Sequence, residues 1–372
     1  MIVTLTHRQN RHRNKEHEMS TTTSNTEPDT LPPATSRGRR ILRRTGLGCL
    51  GIIGIMIACA VFGIVYEAVM APGDAARYPA PGQRVDIGGY SLHLYCTGEG
   101  SPTVILEAGF GAWSTDWSTA QPGLSKVTRT CSYDRAGYGW SDAGPAPRDP
   151  EHIAMELHTL LTKAGIEGPY VLAGHSIGGK HIRMFTELYP DEVIGLVFVD
   201  ARHESAEPVG RTPEQNQQDR EAYESSLNFY RVMRDSGLVR IFGVPLTRML
   251  IPGVENIPDD VLYENGLFGV RESTLQTQIA ESPATTYSDD KLRAARPLGA
   301  LPVVVLSAGR ALQQTANWET VQKNLVALSN NSRWTIVENS LHNITFDDPA
   351  AVITAVQDVI QSAQSGQHLV SR

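Results

Sequence analysis

Four cysteines among 372 residues are too few for a disulfide scaffold. No histidine or cysteine group falls at metal-ligand spacing, so no metal or other cofactor is implied. Glycine, at 33, and proline, at 22, are not enriched, which excludes collagen-like and low-complexity chains. Positive charge is also short: the formal net charge is −7. Residues 1–44 hold nine Lys/Arg against four Asp/Glu, so the remainder is more acidic than the whole. An acidic body argues against a nucleic-acid-binding protein. No internal repeat is visible. With 41% hydrophobic residues the chain is too apolar for disorder and too long for one minimal domain. One enzyme-sized globular domain behind a basic tail is what these exclusions leave.

The tail, residues 1–44, is polar and reads as disordered, ending in Arg37, Arg39, Arg40, Arg43 and Arg44. Residues 45–66 then form an apolar run without a charge, long enough to cross a bilayer as a helix. A cleaved signal peptide would have a shorter apolar region and no forty-residue leader, so an uncleaved signal anchor is expected. Arginines before the run, with Glu67 and Asp74 after it, place the N-terminus in the cytoplasm and the main body outside. Residues 67–82 read as a linker. Cys49 and Cys59 fall in the apolar run. Cys96 and Cys131 lie in strand-like segments of the body, either paired in an oxidising compartment or buried as two free thiols.

Beyond the linker, strands alternate with helices. Residues 85–87 and 90–95 suggest a hairpin around Gly88-Gly89. Further strands are expected at 103–107, 128–133, 170–173, 194–199, 303–307 and 333–337. Asp149-Pro150 and Asp348-Pro349 each pair an N-cap with proline at the first helical position, opening helices to about Ala164 and Ala363. A helix at 178–189 lies between them. Buried strands alternating with helices mean a mostly parallel sheet covered on both faces. Residues 202–301 break the pattern: they are polar, with helical pieces at 213–226 and 227–234, and read as a helical lid.

The sharpest motif is Gly174-His175-Ser176-Ile177-Gly178, between a strand and a helix. Gly-x-Ser-x-Gly in that context is a nucleophile elbow, whose tight turn admits only tiny residues beside the serine and exposes its hydroxyl at a helix N-terminus. The same stretch satisfies Gly-x-x-x-x-Gly-Lys, with Asp200 ending the next strand, as in a phosphate-binding loop. That loop needs Ser or Thr after the lysine to hold magnesium, and here His181 follows Lys180. A serine nucleophile needs a base and an acid. His342, directly after the last strand, is the base; His175 is expected to pack beneath the turn.

Gly109-Phe110-Gly111, the Asp134–Ser141 segment, the elbow and the closing histidine together resemble the α/β-hydrolase superfamily over about residues 83–362. The resemblance implies an eight-stranded, mostly parallel sheet with helices on both faces. The core would be 83–201 and 302–365, with the lid of 202–301 inserted after the sixth strand. It also implies an oxyanion hole from the backbone N–H groups of Phe110 and Ile177, and a structural role for Asp134-Arg135. Many members carry the triad aspartate after the seventh strand, where this chain reads Ser307-Ala308-Gly309-Arg310-Ala311-Leu312-Gln313-Gln314, with no carboxylate. Others carry it after the sixth, where Asp200 stands. The order Ser176, Asp200, His342 fits, with Glu204 and Glu338 as rivals. Dehalogenases and epoxide hydrolases of the superfamily use an aspartate at the elbow, so the serine points instead to acyl transfer. The expected protein is a membrane-bound serine hydrolase acting on a small-molecule ester, less readily an amide. An aminopeptidase-like member using Glu207, Glu214, Glu221 or Glu224 of the lid, and a non-catalytic binding protein on the same fold, are the alternatives.

Overall fold

The computed structural model describes residues 36–206, 212–251, 253–287 and 289–370. Most of the basic tail, and Glu207, lie outside them. The chain divides into two units, Met1–Ile57 and Ala58–Arg372.

The N-terminal helix runs Ser36–Met70, so it begins ahead of the apolar run and carries its five arginines as helix. Among the described residues, one stretch, Leu47–Arg77, is long and apolar enough to cross a membrane. The segment expected to be a linker is instead largely helical. The helix continues through Glu67, and short turns at Ala71–Gly73 and Asp74–Arg77 follow. The physical reason is an ion pair invisible to local pattern. Arg240 of the lid donates to Glu67 and to Asp74, each at 2.7 Å, which fixes residues 67–74 in place.

Eight strands form one sheet: β1 Gln83–Asp86, β2 Ser91–Thr97, β3 Thr103–Glu107, β4 Thr130–Tyr133, β5 Tyr170–His175, β6 Val193–Val199, β7 Val303–Ala308 and β8 Ser332–Val337. Their order is β1-β2-β4-β3-β5-β6-β7-β8; the pairs β1–β2 and β2–β4 are antiparallel and every other pair is parallel. Cys96 of β2 stands opposite Cys131 of β4, and the two form a disulfide.

The central strands are buried on both faces, and their side chains alternate between two cores. Ile105, Leu172, Phe198 and Val305 face the helices Pro150–Lys163 and Gly178–Leu188. Val104, Leu106, Val171, Val197 and Val304 face the C-terminal helix Pro349–Ser365. Each such side chain contributes about 1.5–3 kcal/mol of burial, so this alternation is what holds the sheet between its layers. Both expected caps form: the Asp149 carboxylate accepts from His152 N, and that of Asp348 from Ala351 N.

The lid lies between β6 and β7. Its helices are Pro213–Asp235, Leu238–Leu250, Asp259–Gly269, Glu272–Tyr287 and Asp289–Ala294. The two pieces expected at 213–226 and 227–234 are one helix. No glycine or proline interrupts residues 214–235, a capping box at Thr212 and Gln215 starts the helix, and Gly237 in the left-handed region follows its end.

Within the lid, Glu264 is half-buried, and among the described residues one of its carboxylate oxygens has no hydrogen-bond partner. Burial, aided by the nearby Asp134 charge, pushes its pKa up to about 7. A raised acid costs stability only when ionised, so the cost is absent below the unfolded value near 4.5. It grows as pH rises and is complete above 7. Glu264→Gln is therefore expected to stabilise the protein by roughly 1–2 kcal/mol at pH 8, allowing for solvent screening, and not at pH 4. Thermal unfolding of both proteins at the two pH values checks this; an equal offset at both would remove ionisation as the cause.

Candidate active site

Parallel strands deliver their following residues to one edge of a sheet, and ligand sites form there. At this edge β3 leads into Gly109-Phe110, β5 into Ser176, β6 into Asp200, and β8 into the loop bearing His342. All five residues expected to carry the chemistry thus belong to one end of the fold.

The Ser176 turn is as tight as its sequence requires. Ser176 has φ 54°, a left-handed conformation rare for a residue with a side chain. A Cβ at Gly174 would come within 2.6 Å of the Gly178 carbonyl oxygen, and one at Gly178 within 2.7 Å of the Glu107 carbonyl oxygen. Only glycine fits at either place, and the helix Gly178–Leu188 starts directly behind the serine. Gly109 approaches from β3: a Cβ there would lie 3.3 Å from Ser176 Cβ. The Phe110 and Ile177 amides therefore flank the serine, and among the described residues neither is engaged in another backbone hydrogen bond.

Asp200, itself at φ 41°, is fully buried at the end of β6. One carboxylate oxygen accepts from Ala308 N at 3.1 Å and Trp318 Nε1 at 2.9 Å; the other lies 2.6 Å from His342 Nδ1. The helix Gly309–Gln314 occupies the position after β7 where the sequence offered no carboxylate. Of the rival acids, Glu204 is held by Arg183 and Glu338 is exposed.

Three contributors were not legible as such. His175 packs beneath the turn as expected, but it also holds two partners there. Its Nδ1 lies 2.9 Å from Asp116 and its Nε2 3.0 Å from the backbone carbonyl of His342. Both partners are acceptors, so the geometry calls for a doubly protonated ring. Burial opposes that charge, but the Asp116 carboxylate and the His342 carbonyl outweigh it and hold the pKa above the ordinary histidine value. The ring thus ties the loop bearing His342 to the turn. Asp116 and Trp318 sit in no motif; their only signal is position near the strand ends.

Arg135 does more than hold its own loop. It donates to the carbonyls of Ala108 and Gly109 at 2.9 and 2.8 Å, to Glu107 at 2.8 Å, and to Glu281 of the lid at 2.8 Å. Tyr138 also donates to Glu281, and His181 lies 2.9 Å from Glu107. Burial would raise the Glu107 carboxyl, yet His181 and Arg135 hold it below the usual carboxylate range. One guanidinium, almost fully buried, ties the segment before Phe110 to both sheet and lid.

Between lid and sheet edge lies a cavity of about 450 Å³, lined by Phe110, Asp116, Tyr223, Val239, Leu246 and Asn343 among others. It reaches the reactive end through Phe110 and through Asn343, the neighbour of His342. Among the described residues no group of acidic, histidine or cysteine side chains is arranged to hold a metal ion.

Known proteins resemble this chain in sequence or in fold. A protein of Schizosaccharomyces pombe with no assigned function is 28% identical over 80% of this chain, which spans 58% of that relative. An esterase from Thermogutta terrifontis superposes with a TM-score of 0.54 at 24% identity, over 76% of this chain and 99% of that one. The epoxide hydrolase CorEH does so with a TM-score of 0.58 at 17% identity, over 75% and 98%. At such identities the two structures speak for the fold. Residues 102–349 match the family described as alpha/beta hydrolase fold, and the chain belongs to that family.

Proposed function

We propose that this protein is a membrane-anchored serine hydrolase of carboxylic esters, with amides less favoured. Ser176 Oγ attacks the carbonyl carbon while His342 takes its proton. The developing oxyanion is received by the amides of Phe110 and Ile177, each such donor being worth about 3 kcal/mol. His342 then protonates the leaving alcohol, and water releases the acyl group by the same steps in reverse.

The observation that carries this reading is the pairing of His342 Nδ1 with a buried Asp200 carboxylate that is itself held by two further donors. A proton fixed on Nδ1 leaves the Nε2 lone pair for the serine. Among the described lid carboxylates, Glu214, Glu221 and Glu224 are exposed and none lines the cavity, so nothing favours an aminopeptidase. The apolar helix supports a single membrane span, and its arginines support a cytoplasmic N-terminus. The disulfide fits a catalytic domain folded outside the cytoplasm.

Fluorophosphonate labelling of the full chain in detergent tests the proposal. Rapid labelling is expected, and Ser176→Ala should abolish both labelling and ester turnover. A folded protein that resists the reagent would turn the reading toward a non-catalytic binding protein.

A further inference from the structure

We propose that the outer face of the lid lies in the bilayer interface and that the site draws its substrate from the membrane, as an amphiphilic ester with a long acyl chain. The inference rests on the hydrolase reading above and adds the substrate class.

Gly63, inside the apolar run, is the point of closest approach. A Cβ there would lie 2.1 Å from the Ser236 carbonyl oxygen and 3.7 Å from Ile241 Cδ1; one at Gly237 would lie 2.4 Å from the Gly63 carbonyl oxygen. The corner between two lid helices therefore packs backbone to backbone on the membrane helix, at a level where that helix is still apolar. One turn further, the Arg240 ion pairs with Glu67 and Asp74 lock the height of the lid. A lid fixed there cannot stand clear of the bilayer if the helix spans it.

Its exposed residues suit that position. Ile241, Phe242 and Met249 are 42, 55 and 74% exposed, and Phe229 and Val232 of the preceding helix are exposed as well. Val61, Phe62 and Val65 of the membrane helix, within two residues of Gly63, are likewise exposed. Such a surface facing water would be a liability, whereas in the interface it is an anchor. The helix Leu238–Leu250 also has an inner side: Val239, Leu246 and Thr247 line the cavity that leads to Phe110. It breaks at Gly243, φ 43°, with Pro245 close behind. One kinked helix thus separates lipid from the acyl-sized cavity, and an ester dissolved in the bilayer reaches the site without crossing water.

The test uses the full chain in phosphatidylcholine vesicles. Phe242→Trp in brominated-acyl lipid should show quenching beyond that of the parent tryptophans. No added quenching would overturn the lid placement and leave the patch to a protein partner. In parallel, Phe242→Asp and Met249→Asp are assayed on bilayer-resident umbelliferyl palmitate and on water-soluble umbelliferyl acetate, with Phe242→Leu as the control that keeps the apolar face. A fall of about tenfold or more on the palmitate, with the acetate within about twofold, is expected. Equal effects on both esters, with the control unchanged, would overturn the substrate class. The hydrolase reading fails separately, by loss of Ser176 labelling, which leaves the quenching result standing.

Discussion

Asp200→Asn is expected to preserve the fold and to lower turnover by roughly 10⁴-fold. The amide oxygen can still accept from Ala308 N and Trp318 Nε1, so the end of β6 keeps its partners. What changes is the group facing His342 Nδ1 at 2.6 Å: an amide NH2 is a donor where a carboxylate was an acceptor. The imidazole must then present its lone pair to the new amide and carry its proton on Nε2, the nitrogen that the proposed mechanism needs unprotonated as a base. Turnover measured beside the unfolding midpoint separates this from simple destabilisation. A variant within about threefold of the parent would move the acid's role to Glu204 or Glu338.

Arg135→Met is expected to cost about 3–5 kcal/mol of stability, because it leaves Glu107 and Glu281 buried without their shared cation. It also frees the carbonyls of Ala108 and Gly109, and with them the placement of the Phe110 amide, so turnover should fall even where the variant stays folded. Adding Glu281→Gln should recover part of the loss, since the second uncompensated charge disappears. Denaturant titration of the two single variants and the double variant measures that coupling. A loss under about 1 kcal/mol in Arg135→Met would mean that water or a rearranged partner replaces the guanidinium.

Much of the fold was legible because its strands are apolar on both faces. β3 was readable to the residue, and β5 through β7 to within two, from apolar runs closed by turn residues; β8, with Arg333 and Thr335 among its residues, was readable from Trp334, Ile336 and Val337. Asp149 and Asp348 marked helix starts because capping is a local bond between a side chain and an amide three residues on. Ser176, Asp200 and His342 could be named because each follows a legible strand. The lid was not legible in the same way. Its helices pack on one another and on the N-terminal helix, so their apolar residues face several directions and no single stripe emerges. Long-range charge pairing was invisible for a related reason. Nothing near Glu67 or Asp74 signals that residue 240 will be their partner, nor anything near Asp116 that His175 will be its own.

Cys96 and Cys131 do more than join two strands. Their sequence separation of 35 closes a ring that contains β3, Phe110 and Asp116. Closing a loop of that size removes conformational freedom from the unfolded chain worth about 4 kcal/mol. The segment after β3 is held by Arg135 on its carbonyls, by Ser114 N donating to the Asp134 carboxylate and by Asp116 against His175. With both ends of its ring joined covalently, it explores far fewer arrangements when the domain opens and has correspondingly less to search when it closes. The order of the segment around Phe110 is therefore secured partly in the denatured chain, before any of the contacts around Ser176 have formed.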